Sequence, residues 1–352
     1  MRVMVAMSGG VDSSVAAAMM VEEGHDVIGA TLKLWQGPNG EAPTAGCCTV
    51  SDSEDARRVA AQLEIPYYVL DYTDDFMSGV VDRFIGDYLD GRTPNPCVEC
   101  NRTVKFSRLL DQAADFDCEV LVTGHYARTR RTDAGWQLLT GVDPDKDQSY
   151  VLYMLGQSEL SRVRFPVGEQ TKVETRRHAE TLGLRTAAKP DSQDICFVGS
   201  GDYRNFLREH SASVIEPGFV VDTDGQRLAA HNGVVDFTIG QRKGLGVAVG
   251  EPRYVIDIEP RTATVTLGRK EDLATERFAV RDVSWVSGSP PAPGIFDVKV
   301  RYKSAPGRAS VTPVGSGAGV EFQEAQGAIA PGQAAVFYSG DVVVGGGTIE
   351  TP

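Results

Sequence analysis

The sequence predicts an α/β protein with a doubly wound parallel sheet in its amino-terminal half, then a small β-rich central domain and a carboxyl-terminal β-barrel. Its 352 residues exceed the length at which one hydrophobic core usually stops growing. Short apolar runs alternate with helical patterns in the first half, which is typical of parallel strands joined by helices. Beyond about residue 205, apolar and polar residues alternate with a period of two, which is typical of β-strands. We therefore predict three domains, at 1–205, 206–275 and 276–352.

The amino-terminal half supplies the parallel strands and their crossover helices. The glycine at position 24 is expected to end the first helix, and Ser51 with Glu54 has the spacing of a capping box. The predicted strands are 2–7, 26–34, 67–72 and 119–128, and the predicted helices are 13–24, 51–64, 76–89 and roughly 104–115.

The rest of the chain changes from helical to β patterning. Residues 136–141 predict a small hairpin strand, and a helical region is expected from 147 to about 205. Residues 296–304 alternate with period two, which places Lys299 and Arg301 on a polar face and Tyr302 on the apolar face. A hairpin around 339–341 completes a compact barrel, or alternatively a sandwich.

Composition and charge restrict the class of protein. No apolar run approaches the ~20 residues of a membrane span, so we expect a cytoplasmic protein without a membrane partner. The net charge of −13 argues against nucleic acid as a partner, but residues 204–308 carry 15 Lys and Arg against 13 Asp and Glu. In a reducing compartment, the six cysteines are expected to be buried, metal-bound or catalytic.

The stretch AMSGGVDSS, residues 6–14, lies between the first predicted strand and helix. Glycines at such a turn let backbone N–H groups face a ligand, and the helix amino terminus that follows favours an anion. The stretch lacks the lysine of a P-loop and the glycine spacing of the dinucleotide motif. Asp12 could hold Mg²⁺ or cap the helix, and the sequence leaves both roles open.

The string SGGVDS resembles the pyrophosphate-binding loop, or PP-loop, of the ATP pyrophosphatase superfamily. This resemblance implies an adenine nucleotide α-hydrolase-like fold that cleaves ATP between its α- and β-phosphates, with Mg²⁺ screening their charge. The positions that it assigns to ATP are Ala6, Met7, Ser8, Gly9, Gly10, Val11, Asp12, Ser13, Leu32 and Gly124.

Further motifs make the resemblance more specific. TPNPCVECNRTVKF (93–106), TGHYAR (123–128), KDQSYVLY (146–153), DSQDICFVG (191–199), GQRKGLG (240–246) and PGQAAVFY (331–338) occur in this order. Together they resemble the bacterial tRNA-specific 2-thiouridylase family over nearly the whole chain. The family replaces the 2-oxygen of the wobble uridine with sulfur, after that oxygen has been adenylated. The resemblance implies that Cys100 is the nucleophile and that Cys196 carries the persulfide.

The sequence departs from the common family pattern at Cys97, where many members have aspartate. Cys97, Cys100 and Cys196 together would make three thiolate ligands, which suit a [4Fe-4S] cluster with one iron open. We therefore favour an iron–sulfur-dependent subclass. A persulfide relay with Cys97 as an auxiliary thiol, a disulfide and a zinc site remain alternatives, and zinc is the weakest because no histidine lies near either cysteine motif in sequence.

The resemblance also implies how tRNA would be held, through its anticodon loop. A sulfur donor, such as a cysteine desulfurase or sulfur carrier protein, is implied as a second partner. Arg242 and Lys243 are further candidates for a phosphate contact, with a solvated turn as the alternative. The residues assigned to tRNA contact are Asn95, Pro96, Cys97, His125, Lys146, Asp147, Gln148, Arg301, Tyr302 and Gln333.

Two other functions fit parts of the sequence. An amide-forming synthetase of the same superfamily would keep the PP-loop but act on a small molecule and leave the cysteines without a use. A non-catalytic iron–sulfur or redox-sensing module is disfavoured by SGGVDS. We expect Cys47 and Cys48 to be bystanders and Cys118 to be packed at the edge of a strand.

Overall fold

The computed structural model describes residues 1–36, 49–191, 195–198, 202–211, 215–247 and 250–350. Its amino-terminal sheet is fully parallel, with the strand order β3-β2-β1-β4-β7. The predicted parallel sheet is therefore confirmed. The strands are Arg2–Ala6 (β1), Asp26–Lys33 (β2), Tyr67–Asp71 (β3), Val120–Thr123 (β4) and Val163–Arg164 (β7).

Apolar side chains bury both faces of this sheet. Met4 and Ile28 belong to one hydrophobic core, whereas Val3, Val5 and Val27 belong to another. Alternate residues of a strand point to opposite faces, so a strand buried on both sides reads as a continuous apolar run. This is why β1 was recognisable from sequence.

Helices follow the strands in the predicted order. Two of the longer helical segments contain π-helical stretches, Met77–Val81 and Asn101–Arg108. The α-helices are Val11–Glu22 (α1), Val50–Gln62 (α2), Thr73–Phe76 (α3), Asp82–Leu89 (α4), Pro96–Cys100 (α5), Leu109–Asp115 (α6), Gln157–Leu160 (α7), Lys172–Thr181 (α8) and Tyr203–His210 (α9).

Three local predictions were wrong. The capping box of α2 is Thr49 with Asp52, not Ser51 with Glu54, because the helix begins one residue before Ser51. The helix predicted to begin near 104 continues helical structure that starts at Pro96. The region 147–205 is not continuously helical, since it contains β7 and short 3₁₀ turns between α7, α8 and α9.

The strand predicted at 119–128 is two strands in different sheets. β4 ends at Thr123, and Ala127–Thr132 (β5) forms a hairpin with Gly135–Thr140 (β6). This hairpin adds to the carboxyl-terminal sheet through Val342 and Val343, which pair with Leu139 and Leu138. A piece of the amino-terminal half thus extends the barrel sheet.

The central part is a four-stranded sheet with the order β10-β11-β8-β9. Its small core includes Val220, Val255 and Leu267. The strands are Gly218–Val221 (β8), Arg227–His231 (β9), Tyr254–Glu259 (β10) and Thr264–Gly268 (β11).

The last part is a six-stranded antiparallel barrel. It closes because β12 pairs with both β15 and β17. β13 ends at Lys299, so Arg301 and Tyr302 lie beyond the strand and not on its alternating faces as predicted. The strands are Ala274–Trp285 (β12), Gly294–Lys299 (β13), Gly307–Val314 (β14), Gly317–Gly327 (β15), Ala334–Ser339 (β16) and Val342–Ile349 (β17).

Among the residues that the structure describes, no helix is long and apolar enough to cross a membrane.

Candidate active site

The turn between β1 and α1 has the geometry of an anion site. Gly9 has a φ of +71°, and Gly10 is the extended N-cap of α1 without a side-chain cap. The Ser13 hydroxyl accepts a hydrogen bond from the Ser8 backbone N–H at 3.1 Å and lies 3.2 Å from the Ser8 hydroxyl. This arrangement leaves the helix amino terminus without a side-chain cap, where phosphate oxygens bind favourably.

At two positions near this turn, only glycine leaves room for the neighbouring backbone. A Cβ at Gly9 would lie 2.1 Å from the Asp52 carbonyl oxygen, and a Cβ at Gly124 would lie 2.6 Å from the Ser13 backbone nitrogen. Ala6 and Thr123 are register partners at the carboxyl ends of β1 and β4. The turn and Gly124 therefore meet at the edge of the sheet where ligands bind in such folds.

Asp12 does not cap α1. Its carboxylate accepts hydrogen bonds from the Lys172 ammonium at 2.7 and 2.8 Å and from the Tyr126 hydroxyl at 2.8 Å. Lys172 is 8% exposed and also lies 2.8 Å from the Asp191 carboxylate. The carboxylate of Asp12 is thus fixed beside the phosphate turn, and the capping role left open by the sequence is excluded.

A second lysine reaches the turn from the segment that precedes Cys196. The Lys189 ammonium donates to the Gly9 carbonyl at 3.0 Å, to Asp52 at 2.7 Å and to Asp55 at 2.8 Å. These contacts raise the pKa of Lys189 although its burial acts to lower it. Two lysines therefore border the turn, each held by carboxylates.

Asp191 joins this network to two more cations. It accepts hydrogen bonds from Lys146 at 2.8 Å and from Arg176 at 3.0 Å, besides its contact with Lys172. Burial alone would raise the pKa of Asp191, but the bonds from Lys146 and Lys172 hold it at about 2.

Sequence reasoning missed Lys172, Arg176, Lys189 and Asp191 as site residues, and it missed Tyr126. The local signals were the position of Tyr126 inside TGHYAR and of Asp191 at the start of DSQDICFVG, with Lys189 two residues before it. The contacts of Lys172 and Lys189 with the turn join residues 160 and 180 positions apart, a distance that helical and strand patterns do not report.

Cys97 and Cys100 lie on α5. Asn95 is its N-cap and accepts from the Val98 N–H at 3.4 Å, and Pro96 occupies the first turn, where its missing N–H costs nothing. Cys97 is exposed, whereas Cys100 is 6% exposed. A π-helical stretch begins directly after Cys100, a departure from α-helix that is frequent at functional sites.

The barrel holds the loop that precedes α5. The Gln333 amide donates to the carbonyls of Thr93 and Pro94 at 2.8 and 3.2 Å, and the Thr93 N–H donates to the Pro331 carbonyl at 2.7 Å. Gly332 has a φ of +89°, and a Cβ there would lie 3.0 Å from the Thr93 nitrogen. In this structure Gln333 therefore contacts the loop backbone from across the domain boundary.

Cys196 is half-buried and packs against the same hydrophobic core that contains Cys100. Its neighbour Phe197 makes edge contacts with the rings of Phe76 and Phe84, at centroid distances of 5.6 and 5.1 Å. Within the described ranges, no three His, Cys, Asp or Glu side chains form a group that could hold a metal ion. The ligand set of Cys97, Cys100 and Cys196 therefore stays a prediction.

His125 lies between two aromatic rings. Its imidazole is 5.8 Å from Phe106 and 6.1 Å from Phe165, and Nδ1 is 2.6 Å from the Thr123 hydroxyl. Burial, with a smaller contribution from Lys105, holds the pKa of His125 well below its usual value. The ring is thus neutral at physiological pH.

Two of the residues predicted to contact tRNA, Asp147 and Gln148, make hydrogen bonds within the chain. Asp147 accepts from the Gly141 N–H at 3.0 Å and from Ser149, and Gln148 accepts from the Tyr126 N–H at 2.9 Å. These two side chains brace the residues around Tyr126, which itself bonds to Asp12. Their roles in tRNA contact stay predictions.

Arg301 joins the central part to the barrel. Its guanidinium donates to the Ala328 carbonyl at 2.6 Å and to the Ile239 carbonyl at 3.3 Å. Tyr302 packs against Tyr150, with ring centroids 6.0 Å apart. Burial, followed by the charges of Asp147 and Cys97, raises the pKa of Tyr302 to about 12. Tyr302 thus lies near Cys97, and Gln333 contacts the loop of residues 93–95 that precedes α5, here called the α5 loop. The hydrogen bonds of Arg301 do not reach this loop.

The structure tests the prediction for only one of the three remaining cysteines. Cys118 is buried, as expected. Cys47 and Cys48 lie outside the described residues.

Three family models match the chain in succession. They are described as a tRNA methyl transferase HUP domain over residues 1–200, a tRNA methyl transferase PRC-barrel domain over 204–269 and an aminomethyltransferase beta-barrel domain over 275–349.

Among solved structures, the chain is similar to a U34-tRNA thiolase NcsA from Methanococcus maripaludis with its [4Fe-4S] cluster. The sequence identity is 18% and the TM-score is 0.36, covering 59% of this chain and 64% of the other.

Curated relatives match the chain from end to end. The tRNA-specific 2-thiouridylase MnmA of Chloroflexus aurantiacus is 47% identical over 99% of this chain and 98% of its own length. Its counterpart from Clostridioides difficile is 44% identical over 99% and 98%, and that from Moorella thermoacetica is 46% identical over 99% of both. The chain therefore belongs to the tRNA-specific 2-thiouridylase family.

Proposed function

We propose that this enzyme uses ATP to adenylate O2 of the wobble uridine of tRNA and then replaces that oxygen with sulfur. The products are 2-thiouridine, AMP and pyrophosphate. The observation that carries the proposal is the turn from Ser8 to Ser13, bordered by Lys172 and Lys189, in a chain whose family resemblance extends over its whole length. We expect the reaction to take place in the cytoplasm.

The first step needs the phosphates of ATP to be held in place. Backbone N–H groups of the turn and the amino terminus of α1 would bind the β- and γ-phosphates. Lys172 and Lys189 would exchange their carboxylate partners for phosphate oxygens, and this electrostatic contact stabilises charge on the leaving pyrophosphate. Asp12 is suited to a Mg²⁺ ion, because hard cations prefer carboxylate oxygen.

The second step needs a sulfur nucleophile. The uridine oxygen attacks the α-phosphorus and pyrophosphate leaves, which turns the oxygen into a good leaving group. The terminal sulfur of a Cys196 persulfide then attacks C2 and AMP leaves. The Cys100 thiolate attacks the Cys196 sulfur, which releases 2-thiouridine and forms a Cys100–Cys196 disulfide, and an external dithiol reduces that disulfide.

The sulfur that forms the persulfide would come from a cysteine desulfurase or sulfur carrier protein. The anticodon loop would approach Asn95, Pro96 and Cys97. Arg83 and Arg281 line a small pocket beside Asn95 and Pro96, so two cations lie next to the expected position of that loop. An unstacked base at a loop tip is the usual form in which RNA bases are recognised.

The test is a thiolation assay on tRNA transcripts with ATP, magnesium and a persulfide donor. Cys100→Ser and Cys196→Ser are expected to abolish 2-thiouridine while ATP binding is retained. Cys118→Ser is the matched control, since Cys118 is a buried cysteine outside the site. Thiolation by either of the first two variants would refute the assignment. ATP turnover that does not rise with tRNA would favour an amide-forming synthetase.

The iron–sulfur-dependent subclass is a separate proposal, supported by the cysteine at position 97. Cys97 is exposed and Cys100 is buried, and the described residues do not gather three ligands, so no step above depends on a cluster. Anaerobically purified protein should contain iron and sulfide that Cys97→Ser loses. Full thiolation activity by iron-free protein would reject this subclass.

A further inference from the structure

The ammonium group of Lys299 lies between two aromatic rings at the end of β13. Its Nζ is 6.0 Å from the centre of the Tyr150 ring and 5.8 Å from that of Tyr302. These distances allow a cation–π contact, which stabilises the charge only partly. The side chain is half-buried, and burial lowers the pKa of Lys299.

Lys299 differs from the lysines around the PP-loop because no carboxylate neutralises it. Lys172 and Lys189 each have carboxylate oxygens at 2.7–2.8 Å, whereas no carboxylate lies within 4.0 Å of Lys299 in the part of the chain that the structure describes. Asp147 acts on it from farther away, but its two oxygens accept hydrogen bonds from Gly141 and Ser149.

Arg301 adds a second positive charge two residues away. Its guanidinium donates to the carbonyls of Ile239 and Ala328, and among the described residues it too has no ion-pair partner. The carbonyl oxygens partly satisfy Arg301, whereas the Lys299 ammonium has only the two rings beside it among the described residues. A half-buried cation without a hydrogen-bonded anion is unfavourable, so Lys299 points to an anion from outside the chain.

The position of Lys299 indicates which anion this is. Lys299 pairs with Val336 in the barrel, and the Tyr150 hydroxyl donates at 2.8 Å to the carbonyl of Ala334, directly after Gln333. Gln333 contacts Thr93 and Pro94 of the α5 loop, which leads into Asn95, Pro96 and Cys97. The phosphates of ATP have their own cations at the PP-loop, so the anion beside the α5 loop belongs to the other substrate.

We propose that Lys299, with Arg301 beside it, binds a backbone phosphate of the RNA strand next to the target base. This inference rests on the proposed function, because it takes tRNA as the second substrate. Lys299 then orients the strand, and Tyr150 and Tyr302 exclude water from the contact.

The test measures binding of an unmodified tRNA transcript with a wobble uridine over a range of salt concentrations. Lys299→Met keeps the apolar stem against the two tyrosines and removes only the charge. It should weaken binding on the order of 10-fold at low salt and reduce the slope of log affinity against log salt by about 0.7 to 0.9. Lys299→Arg should restore most of both. Lys270→Met is the matched control, since Lys270 is an exposed lysine far along the chain from the site.

The outcomes separate this inference from the proposed function. If the wild-type protein thiolates tRNA and Lys299→Met has the affinity and salt slope of Lys270→Met, the phosphate contact is refuted and the function stands. If the wild-type protein neither binds nor thiolates tRNA, the function fails first. Nucleotide affinity measured on the same Lys299→Met sample should equal that of wild type; a matching loss of ATP affinity would instead place the anion at the nucleotide.

Discussion

At the scale of single residues, the turn after β1 is bordered by charges that neutralise one another. Lys172 and Lys189, the cations proposed to bind phosphate, pair here with carboxylates. Their partners are Asp12, Asp52, Asp55 and Asp191. These pairs connect the turn to α2 and α8, because Lys172 lies on α8 and Lys189 joins Gly9 to Asp52 and Asp55 of α2.

Replacing Lys172 tests this view. Lys172→Met should lower kcat/KM for ATP by about 10² to 10³, because a positioned charge on the leaving pyrophosphate is lost. Steady-state release of pyrophosphate in the presence of tRNA measures the effect. Lys33→Met is the control, since Lys33 makes a comparable but exposed pair with Asp71 at 2.9 Å. Equal effects of the two substitutions would contradict a role at the phosphates.

Desolvation of two histidines, His125 and His231, predicts that the stability of the fold depends on pH. The folded pKa of His125 lies below the unfolded value of about 6.5, so the unfolded chain binds the proton more readily. The free energy of unfolding should therefore fall as pH drops below about 6.5, by up to ~1.4 kcal/mol per pH unit for each such histidine. His231, whose pKa burial also lowers, contributes in the same direction.

Urea unfolding between pH 8 and pH 5 measures this dependence. His125→Gln should flatten it, and His231→Gln should remove the smaller remaining part. The window is free of interference from Asp191, whose stabilising contribution disappears only as pH falls toward its pKa of about 2. An unchanged slope in His125→Gln would mean that the ring is not desolvated.

At the scale of elements, turns set the positions of the chemical groups. The sequence showed the glycine turn after β1 because its residues are contiguous. It did not show that Gly9 lies against the backbone of α2, since that contact joins separate elements.

Gly9 and Gly24 both have a positive φ, but only Gly9 has a neighbouring backbone in the space that a Cβ would fill. Comparing the two alanine variants therefore separates the cost of the backbone angle from the cost of the clash. Gly9→Ala should destabilise the fold by at least about 2 kcal/mol and abolish ATP binding, because its Cβ meets the Asp52 carbonyl. Gly24→Ala, with a φ of +78° but open space around it, should cost only about 1 kcal/mol. Urea unfolding and nucleotide titration measure both, and equal costs would show that the contact is unimportant.

Gln333 in the barrel holds the loop before α5, so replacing it should affect the thiolation step. Gln333→Ala should lower the thiolation rate at saturating ATP and leave ATP affinity unchanged, because the Thr93 and Pro94 carbonyls lose their donor. Gln323→Ala, at an exposed position on β15, is the control. Single-turnover thiolation measures the rate, and the rate of cysteine alkylation is a second measurement. A loss of ATP affinity in Gln333→Ala would contradict it.

At the scale of the whole molecule, the amino-terminal half and the barrel share a sheet. A Cβ at Gly346 of β17 would lie 2.6 Å from the Ala335 carbonyl and 2.9 Å from the Tyr153 ring. Tyr153 belongs to the amino-terminal half, so this position joins the two parts.

Gly346→Ala should therefore destabilise the molecule by about 1–3 kcal/mol through overpacking. The loss should appear in a single unfolding transition followed by circular dichroism. Gly319→Ala, on a barrel strand with open space, should change stability little. Two separate transitions, with only one shifted by Gly346→Ala, would show that the parts fold independently.

Local patterns predicted the strands β1 to β3, the order of the helices and the change to β structure, because periodicity reports which face of an element is buried. The division of residues 119–128 between two sheets escaped prediction, since continuous apolar character does not tell which partner a strand takes. The capping error at Ser51 arose in the same way: Thr49 and Asp52 offer the same spacing two residues earlier. The lysines at the PP-loop escaped because their partners are far away in sequence.

The pairing of β6 with β17 has a consequence for synthesis of the chain. Residues 135–140 leave the ribosome about two hundred positions before Val342 and Val343, their partners in the sheet. Translation proceeds at roughly 5–20 residues per second, so this edge waits on the order of ten to forty seconds. Nascent chains cut short before residue 342 therefore expose an unpaired strand edge, and such products are the ones expected to aggregate or to engage chaperones.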